Sequence, residues 1–166
     1  MDTNNRNVKP IPEGYHTVTP FMIVKNAESA IEFYKKAFDA KERHRLYGTD
    51  NKTIMHAEIT IGDSPVMLSE EIPDMKWLSP TTIGGNPTSF YLYVEDVDSF
   101  FDKAVSEGAT VIEPVSDAFW GDRFGFLKDP FGHQWSIATH KKDLSQEEIQ
   151  KASENFCAEM SKQKKE

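Results

Sequence analysis

Hydrophobic and polar residues alternate along this chain with two different periods. Segments 27–38 and 97–105 carry apolar residues at the three- and four-residue spacing of an amphipathic helix. Each follows a short apolar run and a residue suited to a helix N-cap, Asn26 or Asp96. Three strand-like runs come after each helix, separated by Gly, Asn and Asp. The pattern therefore predicts the order β-α-β-β-β twice, with the later strands at 41–47, 53–61, 65–69, 110–113, 124–128 and 134–139.

The two halves form an internal repeat. Val24 recurs as Val94, Asn26 as Asp96, Ser29 as Ser99 and Gly62 as Gly132, all at an offset of 70 positions. A last helix is predicted after position 143, where Ser145 and Glu148 have the spacing of a capping box. We predict an α+β protein with these parts: an N-terminal extension at 1–15, a first module at 16–78, a Gly- and Pro-rich linker at 79–88, a second module at 89–140, and a C-terminal helix and tail at 141–166.

Strand alternation assigns side chains to the two faces of each sheet. In segment 55–61 the apolar residues Met55, Ala57, Ile59 and Ile61 should face the helices, which turns His56 and Glu58 to the other side. The same reasoning places further residues with His56 and Glu58 on the face away from the helices: Thr19, Phe21, Ile23, Ser89, Tyr91, Tyr93, Gln134, Ser136 and Ala138.

Composition and charge narrow the class of protein. The chain has 166 residues, 38% of them hydrophobic, and a formal net charge of −8, which disfavours sequence-independent binding to nucleic acid. We find no apolar run near the roughly 20 residues of a membrane span and no secretion signal. The single cysteine, Cys157, has no partner for an internal disulfide. We therefore expect a cytoplasmic protein whose partners are small molecules or other proteins.

Four motifs carry a family resemblance. They are PEGYHTVTP at 12–20, MHAEITIG at 55–62, YVEDVD at 93–98, and FWGDRFGFLKDPFGHQW at 119–135. Together with the double module, they resemble the vicinal oxygen chelate superfamily, which includes glyoxalase I, extradiol dioxygenases and bleomycin-binding proteins. The motifs are most similar to the PhnB-like branch, named after a protein of the bacterial phosphonate operon. The resemblance implies that the sheets form a curved trough around a ligand, and that the protein is a homodimer.

The resemblance also identifies where a metal would lie. Metal-dependent members place four ligands, mostly His and Glu, at positions that correspond here to sites near Thr19, near Leu68, at Ser89 and at Ser136. A register shifted by two would replace Leu68 with Glu70. Hydroxyl groups and a leucine are not the ligands that Zn, Ni, Mn or Fe(II) require. We therefore expect no metal cofactor at the family position.

His56 and Glu58 are the candidate catalytic residues. They are two positions apart on one strand face, so both could reach one metal ion, with His133 or His140 as a third ligand. Without a metal, His56 could act as a general base oriented by Glu58. The alternative is a structural hydrogen-bonded pair.

Segment 117–124 is the second candidate, interpreted as a loop over the ligand. Phe119 and Trp120 offer flat apolar surface, Arg123 suits an anionic group, and Gly121 and Gly125 would allow a tight turn. Alternatively, Trp120 fills the core and Arg123 pairs with Asp122 or Asp129.

Two functions follow from these observations. The favoured one is a metal-free protein that binds a flat or anionic small molecule. The alternative is a metal- or His-dependent lyase, isomerase or dioxygenase. The predicted ligand-binding residues are Phe21, His56, Glu58, Tyr91, Trp120, Arg123 and Ser136.

Overall fold

The computed structural model describes residues 8–163. Positions 1–7 of the predicted N-terminal extension and 164–166 of the predicted tail lie outside the described residues. Contacts within the chain define two compact units. The boundary between them along the sequence falls between Gly84 and Gly85, inside the predicted linker. Part of that linker is helical.

The first unit is a four-stranded mixed sheet with one long helix. The strand order is β1-β4-β3-β2, with β1 parallel to β4 and the other pairs antiparallel. Its elements are β1 (Phe21–Val24), α1 (Ala27–Ala37), β2 (Lys41–Tyr47), β3 (Ile54–Ile61), β4 (Ser64–Glu70), a 3-10 turn (Pro73–Met75) and the short helix α2 (Pro80–Ile83).

The second unit repeats this topology and adds a helix. The strand order is β5-β8-β7-β6, again with the first pair parallel. Its elements are β5 (Ser89–Tyr93), α3 (Val97–Ser106), β6 (Thr110–Asp117), β7 (Asp122–Lys128), β8 (Gln134–His140) and α4 (Gln146–Gln163). The predicted α+β fold, two tandem β-α-β-β-β modules followed by a C-terminal helix, is confirmed. No helix in the described part of the chain is both long and apolar enough to cross a bilayer.

The predicted caps begin the helices. The side chains of Asn26 and Asp96 accept hydrogen bonds from the backbone N–H groups of Ser29 and Ser99. The α4 capping box also forms, with Glu148 Oε2 accepting from the Ser145 backbone N–H at 2.8 Å.

The last strand of each module also holds the start of its helix. Both carboxylate oxygens of Glu70 accept backbone N–H groups at 2.7 Å, from Asn26 and Ala27. In the second unit Thr139 Oγ1 accepts from the Val97 N–H at 2.8 Å. Glu70, the alternative metal ligand from the shifted register, is therefore engaged at a helix N-terminus.

Helices cover one face of each sheet. Ala30, Ile31 and Tyr34 of α1 are fully buried, as are Val24 and Ala57 of the strands. We call the face opposite α1 or α3 the open face of its sheet. By strand register it carries Phe21, His44, His56, Glu58 and Met67 in the first unit, and Tyr91, Tyr93, Asp122, Phe124, Phe126 and Ser136 in the second.

One assignment from alternation was wrong. A register shift between Leu46 and Tyr47 leaves Met55 without a place in the β2–β3 ladder, so Met55 is 42% exposed and Ile54 is buried instead. Leu68, which the resemblance matched to a metal-ligand position, is fully buried and pairs with the buried Met22, so it lies on the helix side rather than the open face.

The predicted loop at 117–124 is shorter than expected, because β6 runs to Asp117 and β7 begins at Asp122. Gly121 has a φ of 103° and lies against the Lys142 carbonyl, where a Cβ would come within 2.3 Å. Gly125 is a strand residue, and a Cβ there would lie 2.7 Å from the Phe101 ring. Gly125 therefore allows close helix packing rather than a turn.

The Asp-Pro-Phe-Gly turn is organised by the buried Asp129. Its Oδ1 accepts from the N–H groups of Phe131 and His133 at 2.9 Å, and its Oδ2 accepts from Trp135 Nε1 at 2.8 Å. The carboxylate thus connects the turn to the fully buried Trp135 of β8.

We expect Asp129→Ala to lower the free energy of unfolding by about 3 kcal/mol or more, because it leaves several buried donors without an acceptor. Urea denaturation measures the change. Asp63→Ala is the control: Asp63 is exposed and occupies the corresponding hairpin of the first unit, so its loss should cost less than about 0.5 kcal/mol. Equal effects of the two substitutions would contradict this role of Asp129.

Candidate functional site

The open face of the first unit is organised around Glu58. The β2–β3 register places His44 opposite Glu58, and His56 precedes it by two residues on the same face. His56 Nε2 lies 3.1 Å from Glu58 Oε1, and His44 Nδ1 lies 3.8 Å from Glu58 Oε2. The Tyr15 hydroxyl donates a hydrogen bond to Glu58 Oε2. Two imidazoles, a carboxylate and a phenol therefore meet at one place.

The Glu58 carboxylate is buried but well partnered. Burial raises its pKa, but hydrogen bonds from Tyr15 and His56 and the nearby imidazoles outweigh burial and hold the pKa below its ordinary value. The hydrogen bond to Glu58 in turn raises the pKa of Tyr15. At neutral pH Glu58 is thus an anion and Tyr15 a neutral donor.

Aromatic rings border this cluster. The Phe21 ring lies 5.8 Å from the ring of His56 and 5.8 Å from that of Trp77. Phe21 and Trp77 are 42% and 41% exposed. They provide apolar surface beside the polar groups.

The open face of the second unit is organised around Asp122, which is 3% exposed. Its Oδ2 accepts from the hydroxyls of Tyr91 and Tyr93 at 3.2 and 3.0 Å and from Trp120 Nε1 at 3.0 Å. Its Oδ1 lies 2.7 Å from His140 Nδ1. One buried carboxylate therefore fixes four side chains.

These contacts set the charge states. Burial raises the pKa of Asp122, but the hydrogen bonds from His140, the two tyrosines and Trp120 outweigh it and lower that pKa. Hydrogen bonds with Asp122 and Asp143 raise the pKa of His140. Burial raises the pKa of Tyr91 well above its ordinary value, so its hydroxyl stays protonated.

Six aromatic side chains form a continuous row in this unit. Tyr91 stacks on Phe124, with their ring centroids 5.9 Å apart. The Trp120 ring centroid lies 5.4 Å from that of Phe124 and 5.0 Å from that of Phe119. At one end Tyr93 lies 5.1 Å from Tyr91, and at the other Phe156 of α4 lies 5.4 Å from Phe119. We call this set the aromatic row: Tyr93, Tyr91, Phe124, Trp120, Phe119 and Phe156.

A groove of about 410 Å³ runs beside the aromatic row. Its apolar lining is Ala118, Phe119, Trp120, Phe124 and Phe156. The polar lining includes Glu113, Ser116 and Asp117. The combination of flat rings and carboxylates defines the chemistry of the groove.

Arg123 lies away from this groove, on the helix side of β7. Its guanidinium binds Asp98 of α3 through two hydrogen bonds of 2.7 and 2.6 Å, and Asp117 at 3.2 Å. Asp122 and Asp129, the two partners predicted for Arg123, do not form its ion pairs. Ser136, in contrast, lies on the open face opposite Tyr91 and is 7% exposed.

The predicted site residues thus separate into three groups. Phe21, His56 and Glu58 cluster in the first unit, Tyr91, Trp120 and Ser136 share the open face of the second, and Arg123 does not join them. The histidines suggested as third ligands, His133 and His140, belong to the second unit, where Asn86 and Asp122 contact them.

Four residues of the Glu58 and Asp122 clusters were not predicted from the sequence: Tyr15, His44, Asp122, and Tyr93 as a hydrogen-bond donor. Asp122 was missed because 117–124 was treated as a loop, whereas extending the alternation of β7 back from Phe124 would have found it. His44 required the β2–β3 register, since residues distant in sequence are paired only by the ladder.

Comparisons with known proteins agree with this architecture. Residues 15–137 match the model of the Glyoxalase/Bleomycin resistance protein/Dioxygenase superfamily, and the chain belongs to that superfamily. An uncharacterized protein of Mycobacterium tuberculosis H37Rv is 43% identical over 154 residues, covering 91% of this chain and 86% of the relative.

Solved structures share the fold. The X-ray structure of an Arabidopsis thaliana gene product has a TM-score of 0.60 at 25% identity, covering 75% of this chain and 98% of that one. The PhnB protein of Bacillus cereus has a TM-score of 0.59 at 20% identity, covering 75% and 99%. This likeness concerns the fold alone.

The positions that the resemblance matches to the superfamily's metal ligands carry Thr19, Leu68, Ser89 and Ser136. Thr19 and Ser136 offer neutral hydroxyls, Ser89 likewise, and Leu68 is buried on the helix side. Thr19 donates its hydroxyl hydrogen to the His16 carbonyl at 3.2 Å. No imidazole or carboxylate is present in this donor set.

The Asp122–His140 pair predicts a pH-dependent stability. The pKa of His140 is raised in the folded state, so its stabilising effect is complete below the ordinary histidine pKa and is lost as pH rises through the raised value. We expect His140→Gln to lower the melting temperature more at about pH 5.5 than at about pH 9. Thermal melts of both proteins across this range measure it, and a pH-independent difference would contradict the pairing.

Proposed function

We propose that the protein binds a flat small molecule in the groove beside the aromatic row, without a metal at the superfamily's usual position. The observation that carries the proposal is the groove itself, a cavity of about 410 Å³ lined by four aromatic rings. Small-molecule sites typically measure about 300–1,000 Å³ and combine apolar walls with a few polar groups.

The rings are held in place before a ligand arrives. Trp120 is fixed by its hydrogen bond to Asp122, and Phe124 is stacked on Tyr91, which the same carboxylate holds. A site whose side chains are already ordered loses little conformational entropy on binding. Asp122 therefore supports recognition without touching the ligand.

The charges favour a neutral or cationic ligand over an anionic one. Glu113 and Asp117 line the groove. Arg123, the cation expected to hold an anion, is paired with Asp98 and Asp117. A flat cation would gain from the Glu113 carboxylate and from the faces of the rings.

Three dyes of similar flatness test this proposal: cationic thioflavin T, neutral Nile red and anionic anilinonaphthalene sulfonate. Fluorescence titration should give the tightest binding for thioflavin T. Trp120→Ala should weaken it at least about tenfold, because the dye loses ring contact and buried apolar area. Glu113→Gln should weaken thioflavin T but leave Nile red unchanged.

Trp77→Ala is the matched control, since Trp77 is partly exposed and lies in the first unit. It should leave dye binding unchanged. Thermal melts confirm that each variant is folded. Equal loss of binding in the Trp77 and Trp120 variants, or a preference for the anionic dye, would overturn the proposal.

A further inference from the structure

Three potential metal ligands converge on the open face of the first unit. His44, His56 and Glu58 each offer one ligand atom, and these atoms all lie within 4.8 Å of one another. We propose that they bind one divalent transition-metal ion, at a site distinct from the positions used by metal-dependent relatives. This site lies in the first unit and is independent of the groove proposed above.

The distances fit a shared ion. Metal bonds to His nitrogen and carboxylate oxygen are about 2.0–2.2 Å, so two ligands of one ion lie roughly 3–4 Å apart. His56 Nε2 and Glu58 Oε1 are 3.1 Å apart, and His44 Nδ1 and Glu58 Oε2 are 3.8 Å apart. The ion requires only small side-chain adjustments.

The fold places the ligands on two adjacent strands and leaves one side accessible. His44 and Glu58 are directly paired across adjacent antiparallel strands, and His56 is two residues from Glu58. The Glu58 side chain is 8% exposed, whereas those of His56 and His44 are 26% and 48% exposed. Three ligands on one face leave coordination positions for water or another molecule, as in catalytic rather than structural sites.

Tyr15 supplies an outer-shell contact. Its hydroxyl donates to Glu58, which orients the carboxylate. Hydrogen bonds to ligating groups of this kind tune affinity in known metal sites. Two imidazoles and a carboxylate suit Zn²⁺, Co²⁺ or Fe²⁺ better than Mg²⁺ or Ca²⁺, which prefer oxygen ligands.

The competing explanation is a hydrogen-bonded cluster that binds no ion. Tyr15 and His56 already satisfy Glu58 in that explanation. His44 distinguishes the two, because 3.8 Å is beyond hydrogen-bond length and its half-exposed ring contributes little to the buried structure. A metal site requires His44, whereas the hydrogen-bonded cluster does not.

The experiment is calorimetric titration of untagged, chelator-treated protein with Zn²⁺ and Co²⁺. We expect about one ion per chain, no comparable binding of Mg²⁺, and a higher melting temperature with Zn²⁺. His44→Ala should weaken binding by more than about 100-fold while the metal-free variant melts close to wild type. Tyr15→Phe should weaken it by about 10–100-fold, the effect of an outer-shell contact.

His16→Ala is the control, a histidine of the same unit outside the cluster, and should bind as wild type does. Glu58→Gln should abolish binding, and if this buried variant does not fold, the His44 and Tyr15 variants still decide the question. Absence of binding to wild type, or unchanged affinity in His44→Ala, would overturn the proposal.

Discussion

Alternation of side chains across each sheet is the constraint on which the rest of the structure depends. A helix covers one face of each sheet, so most strand residues on that face are apolar or small, and Arg123 on the helix side of β7 is paired with Asp98 of α3. The remaining positions are free of that requirement and carry polar and aromatic groups instead. Gly125 shows how strict the constraint is on the covered side, where a single methyl group would collide with Phe101.

The two modules share a topology but place their polar chemistry differently. Each has a buried carboxylate on its open face that accepts hydrogen bonds from tyrosine and contacts an imidazole. Glu58 contacts Tyr15 and His56, and Asp122 contacts Tyr91, Tyr93 and His140. Glu58 lies within a middle strand, whereas Asp122 begins one. The two carboxylate clusters therefore occupy different positions within one repeated fold.

Local signals allowed most of the fold to be predicted from sequence. The repeat, the caps at Asn26 and Asp96 and the alternation around His56 and Glu58 all depend on near neighbours, and the structure confirms the elements that they define. The candidate site was harder to predict from the sequence, because it depends on the register between paired strands. The irregular pairing at Met55, the approach of His44 to Glu58 and the contact between Arg123 and Asp98 each join residues that no local pattern connects.

His44, His56 and Glu58 are the open-face cluster for which we propose ligand binding in its most specific form, the binding of one metal ion. The decisive measurement is an anomalous-difference map from a crystal grown with Zn²⁺, collected at the zinc edge. We expect one strong peak about 2.0–2.2 Å from an atom of each of these residues. A map without a peak there, with the Glu58 carboxylate still hydrogen-bonded to Tyr15 and His56, would contradict it.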